Sequence, residues 1–117
     1  MIEQFEKHIN SEFPLLKNSK LLICVSGGVD SMVLLNLLLM LKYKIGIAHC
    51  NFKLRENESD LDQQFIGDYA KKRFIPFHFK SFLTKLPKHS TQMAARVLRY
   101  KWFNQILDTE KYDFILT

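Results

Sequence analysis

Glycine, cysteine, proline and tryptophan are all scarce in this 117-residue chain, at four, two, three and one. Two cysteines exclude a disulfide-framed secreted fold, and Cys24 and Cys50 have neither zinc-ligand spacing nor a CxxC redox arrangement. Both lie in apolar runs and read as buried free thiols of a cytoplasmic protein. No apolar run reaches the roughly 20 residues that span a bilayer. The longest, Met32–Leu41, is interrupted only by Asn36 and reads as a core helix that is oily all round. The start, "MIEQFEKHIN", is charged and amphipathic, unlike a secretion signal. Acidic residues are missing from 71–101, which holds nine Lys or Arg. That segment lies in the half that supplies the whole net charge of +5, and it suits a polyanion, nucleic acid first. An apolar fraction of 47% excludes global disorder.

The hydrophobic periods predict alternating elements. Residues 2–13 form an amphipathic helix through Ile2, Phe5, Ile9 and Phe13. Strands follow at 21–26, 45–50, 75–81 and 113–117, with helices at 31–42, 59–73 and 91–109 between them. The second of these starts at a capping box, Ser59 with Asp62, and its apolar stripe is Leu61, Phe65, Tyr69 and Ala70. Strands alternating with helices give a parallel sheet with helices on both faces and right-handed crossovers. Such a sheet binds ligands at the carboxyl ends of its strands.

Half of the four glycines stand together, in "LLICVSGGVDSMVLL" (21–35). Gly27 and Gly28 end a buried strand and precede a helix. Glycine lets the backbone turn tightly and approach a ligand, while the first helical amides and the helix dipole favour an anion there. Ser26 and Ser31 add hydroxyl donors. The stretch matches neither GxxxxGK[ST], GxGxxG nor GxSxG. Asp30 would repel a phosphate unless Mg²⁺ lay between them. The plainer alternative is that Asp30 or Ser26 caps the helix and the glycines only turn the chain.

"SGGVDS" (26–31) resembles the PP-loop of the N-type ATP pyrophosphatases. "IAHCNFKLRENESDLD" (47–62) resembles the second-strand motif of the tRNA(Ile)-lysidine synthetase family. His49, Asn51, Leu54 and Arg55 match, while Phe52 and Lys53 stand where His and Gly are common. "QMAARVLRYKWF" (92–103) resembles the family's R-x-x-RY helix through Arg96, Arg99 and Tyr100.

The resemblance implies an α/β fold of the adenine nucleotide alpha hydrolase-like (Rossmann-like) kind, with four strands in the order 3-2-1-4. Residues 1–117 would be a single N-terminal PP-loop ATP-binding domain, cut short at its C-terminal end. It implies a ligase using ATP and Mg²⁺. The wobble cytidine of tRNA(Ile) is adenylylated at C2, pyrophosphate leaves, and free L-lysine displaces AMP. Ser26, Gly27, Gly28, Val29, Asp30 and Ser31 would surround the pyrophosphate, with Asp30 as catalytic residue and Mg²⁺ ligand. Ala48 and His49 would meet the adenine, and Arg55, Arg96 and Arg99 the tRNA. A His- and Asp-rich motif should follow the fourth strand, so 1–117 alone is expected to be inactive. Its "FILT" edge is expected to pair with a second copy.

Plainer roles remain open: His49 as a satisfied core histidine, Arg96 and Arg99 as a solvated face, Phe52, Trp102 and Phe103 as packing. Other PP-loop enzymes such as tRNA thiolases, and a non-enzymatic nucleotide-binding module, are the alternative functions.

Overall fold

The computed structural model describes residues 2–26, 28–51, 57–82 and 91–116. The elements run α1 (Ile2–Glu12), a 3₁₀ turn (Pro14–Asn18), β1 (Lys20–Cys24), α2 (Val29–Met40), β2 (Lys44–Asn51), α3 (Asn57–Lys72), β3 (Phe77–Ser81), α4 (Thr91–Thr109) and β4 (Phe114–Leu116). The four strands form one parallel sheet, as the alternation predicts, in the order β3-β2-β1-β4 that the resemblance implies. This is the adenine nucleotide alpha hydrolase-like arrangement.

Strand parity divides the core. Leu21, Ile23, Val25, Ile45 and Ile47 face α1, α2 and α3, where Ile9, Leu35, Leu38, Ile66 and Ala70 pack against them. Leu22 and Ala48 face the other way, toward Phe103 and Ile106 of α4. Three helices thus cover one face and α4 covers the other, because the chain must cross back over the sheet to place β4 beside β1. Among the described residues no helix is long and apolar enough to cross a membrane.

Two helix faces differ from the sequence reading. In α3 the predicted stripe is only half right: Ala70 is buried and Tyr69 packs against the core, but Leu61 and Phe65 are exposed and Ile66 is buried instead. Both stripes have helical spacing; the sheet selects the one beside Gly67, where a Cβ would come within 3.0 Å of the Phe77 ring. Helix α2 is oily all round but buried on one side only: Leu35 and Leu38 are enclosed, Val33 and Met40 exposed. α3 also begins at Asn57, so Ser59 lies within its first turn instead of ahead of it; the Ser59 side chain lies outside the described residues.

Scarcity of glycine leaves a mark at the helix ends. The residues that reverse the chain after α2, α3 and α4 are Lys42, Phe74 and Lys111, with φ of 65°, 56° and 60°. After α2, Lys42 N–H donates to Leu39 O (3.0 Å) and Tyr43 N–H to Leu38 O (3.1 Å), the paired bonds of a Schellman cap. After α3, Phe74 N–H donates to Lys71 O (3.3 Å) and Ile75 N–H to Ala70 O (2.9 Å). Each left-handed non-glycine residue costs roughly 1 kcal/mol, offset by an apolar residue next in line (Tyr43, Ile75, Tyr112) that anchors the turn just before a strand.

The amino end of the sheet is tied shut. Lys20 N–H donates to Asp113 Oδ2 and Asp113 N–H to Lys20 O, both at 2.8 Å. Lys20 Nζ donates to Glu110 O at 2.6 Å and sits 4.4 Å from the Tyr112 ring centroid. The Tyr112 hydroxyl lies over Gly46 of β2 and shares a 2.9 Å hydrogen bond with His78 Nε2 of β3. Burial lowers the His78 pKa and raises that of Tyr112, which favours a neutral pair.

Candidate functional site

At the carboxyl end of β1 the chain leaves the sheet through Val25 and Ser26 and re-enters regular structure at α2. Gly28 is the N-cap, with φ −72° and ψ 162°, and no side chain caps the helix. The sequence alternative that Ser26 or Asp30 serves as the cap is therefore not what the structure shows. The Gly28 conformation suits any residue, and a Cβ there would meet only Ser26 Oγ, at 3.4 Å. Neither backbone strain nor internal crowding requires glycine at 28. What glycine leaves is open space above the first amides of α2, which have no acceptor within the helix.

Hydroxyls rim that space. Ser26 Oγ accepts from Gly28 N–H at 3.3 Å, Ser31 Oγ donates to Gly28 O at 3.1 Å, and the two hydroxyl oxygens are 3.5 Å apart. A cavity of about 450 Å³ opens beside them. Val25, Ser26, Asp30, Ser31 and Leu34 form its loop side; Cys24, Ala48 and Cys50 its floor; Arg99, Tyr100 and Phe103 of α4 its roof. The volume suits a nucleotide-sized ligand. One end is polar and supplied with helix amides, and the middle is apolar.

The structure brings Ser26, Asp30, Ser31, Ala48 and Arg99 to this cavity, with Gly28 at its polar rim. It separates the rest. Arg96 is three residues from Arg99, yet its guanidinium carbon stands over the Tyr100 ring, 5.6 Å from the centroid, and it is not among the cavity's lining residues. Val29 is exposed at the first helical position. His49 is buried on the opposite face of the sheet from Ala48, and its Nδ1 is 2.8 Å from Val25 O. Gly27 and Arg55 lie outside the described residues, as do Phe52, Lys53 and Leu54.

Cys24 and Cys50 are half-buried and form part of the cavity floor, where the sequence reading has them in the core. Strand parity carries the signal: Cys24, Ala48 and Cys50 share the face that α4 covers. Burial pushes the Cys24 thiol up to about 12, the neighbouring Cys50 adding to it. Burial also pushes Cys50 up to about 11, against the charge of Arg99 and the hydrogen bond that Arg99 makes to it. Both are neutral thiols near pH 7. Tyr100, Phe103 and Leu34 also line the cavity without having been singled out as site residues.

Among the described residues no group of three or more His, Cys, Asp or Glu side chains could hold a metal ion. Asp30 and the two serine hydroxyls present oxygen donors only. One carboxylate with ligand phosphates is the arrangement Mg²⁺ commonly uses, so the donor set fits that ion.

Comparison with known proteins agrees with this geometry. The chain is 40% identical over 104 residues to a tRNA(Ile)-lysidine synthase of Bacteroides thetaiotaomicron, covering 86% of this chain and 24% of that protein. It is 38% identical over 110 residues to that of Parabacteroides distasonis, covering 91% and 25%. It is 33% identical over 123 residues to that of Chlorobaculum tepidum, covering 98% and 37%. The chain thus spans between 24% and 37% of the length of these relatives. The family profile of the PP-loop domain matches residues 1–117. With that match running the full length of a 3-2-1-4 sheet whose glycine–serine loop opens a helix, the chain belongs to the PP-loop domain family.

Proposed function

We propose that this chain is the ATP-binding part of a cytoplasmic tRNA(Ile)-lysidine synthetase, a ligase that converts ATP to AMP and pyrophosphate while joining free L-lysine to the wobble cytidine of tRNA(Ile). The supporting observation is the N-cap at Gly28. Glycine stands where nothing inside the protein requires it, over the first amides of α2 and at the rim of a nucleotide-sized cavity. The amides of Val29, Asp30 and Ser31, with Gly27 and the Ser26 and Ser31 hydroxyls, hold the β- and γ-phosphates that leave as pyrophosphate. Asp30 is the protein ligand of Mg²⁺, which supplies charge neutralisation on the phosphates when bound. Ala48, in the cavity floor opposite Phe103, packs against the adenine. Arg99 at the cavity and Arg96 beside it, both in the acid-free basic segment, contact tRNA phosphates together with Arg55. His49 serves the nucleotide from behind the loop.

The cavity thiols weigh against the thiolase alternative. A sulfur-transfer nucleophile must be a thiolate, and burial keeps Cys24 and Cys50 protonated. Self-pairing of two copies along β4, where Phe114 is exposed, is part of the same reading.

The test is Asp30→Ala in the protein that carries this chain, assayed for AMP formation dependent on tRNA and lysine. Loss of adenylylation by about 100-fold or more, with an unchanged melting temperature, is the expected result. Undiminished turnover would remove the assignment.

A further inference from the structure

We infer that His49 is a positioning residue for the phosphate loop, acting through a hydrogen bond from its Nδ1–H to the Val25 carbonyl and not through contact with the nucleotide; this rests on the reading that residues 26–31 hold the phosphates of ATP.

His49 is 5% exposed and by strand parity lies on the α2–α3 face of the sheet, while the cavity opens at the carboxyl edge toward α4 and does not have His49 among its lining residues. Nδ1 is 2.8 Å from Val25 O. A carbonyl oxygen can only accept, so Nδ1 carries the proton. The regular pairing of β1 with β2 ends at Cys24 and Ala48. One residue later, Val25 N–H still donates to Ala48 O at 2.9 Å, but its carbonyl is taken by the His49 side chain. Two consecutive β2 residues therefore grip the single residue Val25 just past β1, the first by main chain and the second by imidazole.

That residue is the last fixed point before the loop. Val25 is 3% exposed, and the next residue is Ser26, whose Oγ accepts from Gly28 N–H. Gly28 O in turn receives Ser31 Oγ–H. The bonds within the loop are long, at 3.1 to 3.5 Å, whereas the bond that anchors it is short and buried. The height of the phosphate-facing amides above the sheet is thus set from the protein interior. Substituting the imidazole with a side chain that cannot reach Val25 O frees the loop to settle elsewhere. It leaves the cavity floor at Ala48 untouched.

The experiment compares ATP with adenosine on the folded chain. Dissociation constants are measured by calorimetry with Mg²⁺ present for the wild type, His49→Asn and His49→Gln, with a thermal melt of each. The Asn amide nitrogen falls near the position of Nδ1; the Gln amide nitrogen falls near that of Nε2. His49→Asn should keep ATP affinity within about threefold of wild type, and His49→Gln should lose about tenfold or more, while adenosine affinity stays within about twofold in both. Equal loss of adenosine and ATP in His49→Gln would place the ring against the base and overturn the inference. Full ATP affinity in His49→Gln would leave His49 as core packing only. A wild-type chain that binds adenosine as well as ATP would instead defeat the functional reading beneath it. A second readout serves if the Gln chain does not fold: in wild type, the His49 Nδ1 ¹⁵N resonance should shift on adding inorganic pyrophosphate and not on adding adenosine. No shift with bound pyrophosphate would also overturn the inference.

Discussion

Gly28 and Gly46 sit toward opposite ends of the same sheet, and each is glycine for a different reason. At Gly46 the protein itself fills the space: the Tyr112 hydroxyl and ring lie where a Cβ would be, and the hydroxyl continues to His78. At Gly28 the protein fills nothing, and the nearest atom to a Cβ is a serine hydroxyl at ordinary contact distance. The amino end is closed by short hydrogen bonds from Lys20, Tyr112 and Asp113; the carboxyl end is rimmed by serines that bond loosely among themselves. One end is closed by the fold's own contacts and the other is open, the end at which parallel α/β sheets commonly take their ligands.

Swapping the tests between the two glycines gives the largest expected effects. Gly46→Ala should destabilise the chain by about 3 kcal/mol, since the added carbon forces out a packed aromatic ring and breaks its bond to His78. Chemical denaturation measures this, and the molecules that remain folded should bind ATP normally. Gly28→Thr should do the reverse. Threonine is an acceptable N-cap, so stability should change by no more than about 0.5 kcal/mol, while ATP affinity falls about tenfold because the side chain occupies the approach to the amides. If Gly28→Thr unfolds the chain, or Gly46→Ala leaves it intact, the contrast between the two ends fails.

The cavity floor gives a smaller effect that depends on pH. Cys24 and Cys50 have folded pKa values of about 12 and about 11, raised above the ordinary value of 9.0 mainly by burial. Above pH 9 the unfolded chain releases these protons and the folded chain retains them. The stabilising contribution is complete below pH 9 and lost as pH rises from 9 toward 12. Denaturation midpoints should fall over that window, and Cys24→Ser with Cys50→Ser should flatten the decline. An unchanged slope in the double variant would mean that the thiols ionise freely.

The smallest effect concerns the helix ends. Phe74 is 95% exposed with a φ of 56°. Phe74→Gly should stabilise the chain by about 0.5–1 kcal/mol by removing the left-handed penalty, visible as a rise in melting temperature. A fall would show that the ring contributes more than its exposure suggests.

Much of the fold was legible in the sequence because its signals are local. Apolar runs of strand length alternate with helical stripes, which gives the parallel sheet, and the order 3-2-1-4 came from the family resemblance. The loop at 26–31 was legible because a glycine pair in a glycine-poor chain marks one strand-to-helix turn. Contacts between distant elements were less legible. Tyr112 over Gly46 joins residues 66 apart, and nothing in "IGIAHC" announces the tyrosine. In α3 two stripes compete, and only packing of Gly67 against Phe77 decides between them. Ala48 and His49 were paired as nucleotide contacts although adjacent strand residues point to opposite faces; parity alone would have separated them. Arg96 and Arg99 share a helix face by spacing, yet the cavity lies beneath only one of them.

The central claim is that the open end of the sheet receives the phosphates of ATP. Amide chemical-shift mapping of the ¹⁵N-labelled chain during titration with inorganic pyrophosphate and Mg²⁺ tests it most directly. The account predicts the largest shifts at Gly28, Val29, Asp30 and Ser31, saturating together, with little movement at Lys20, Gly46 or Tyr112. Shifts confined to the lysines and arginines of 71–101, with the amides of 28–31 unmoved, would contradict it.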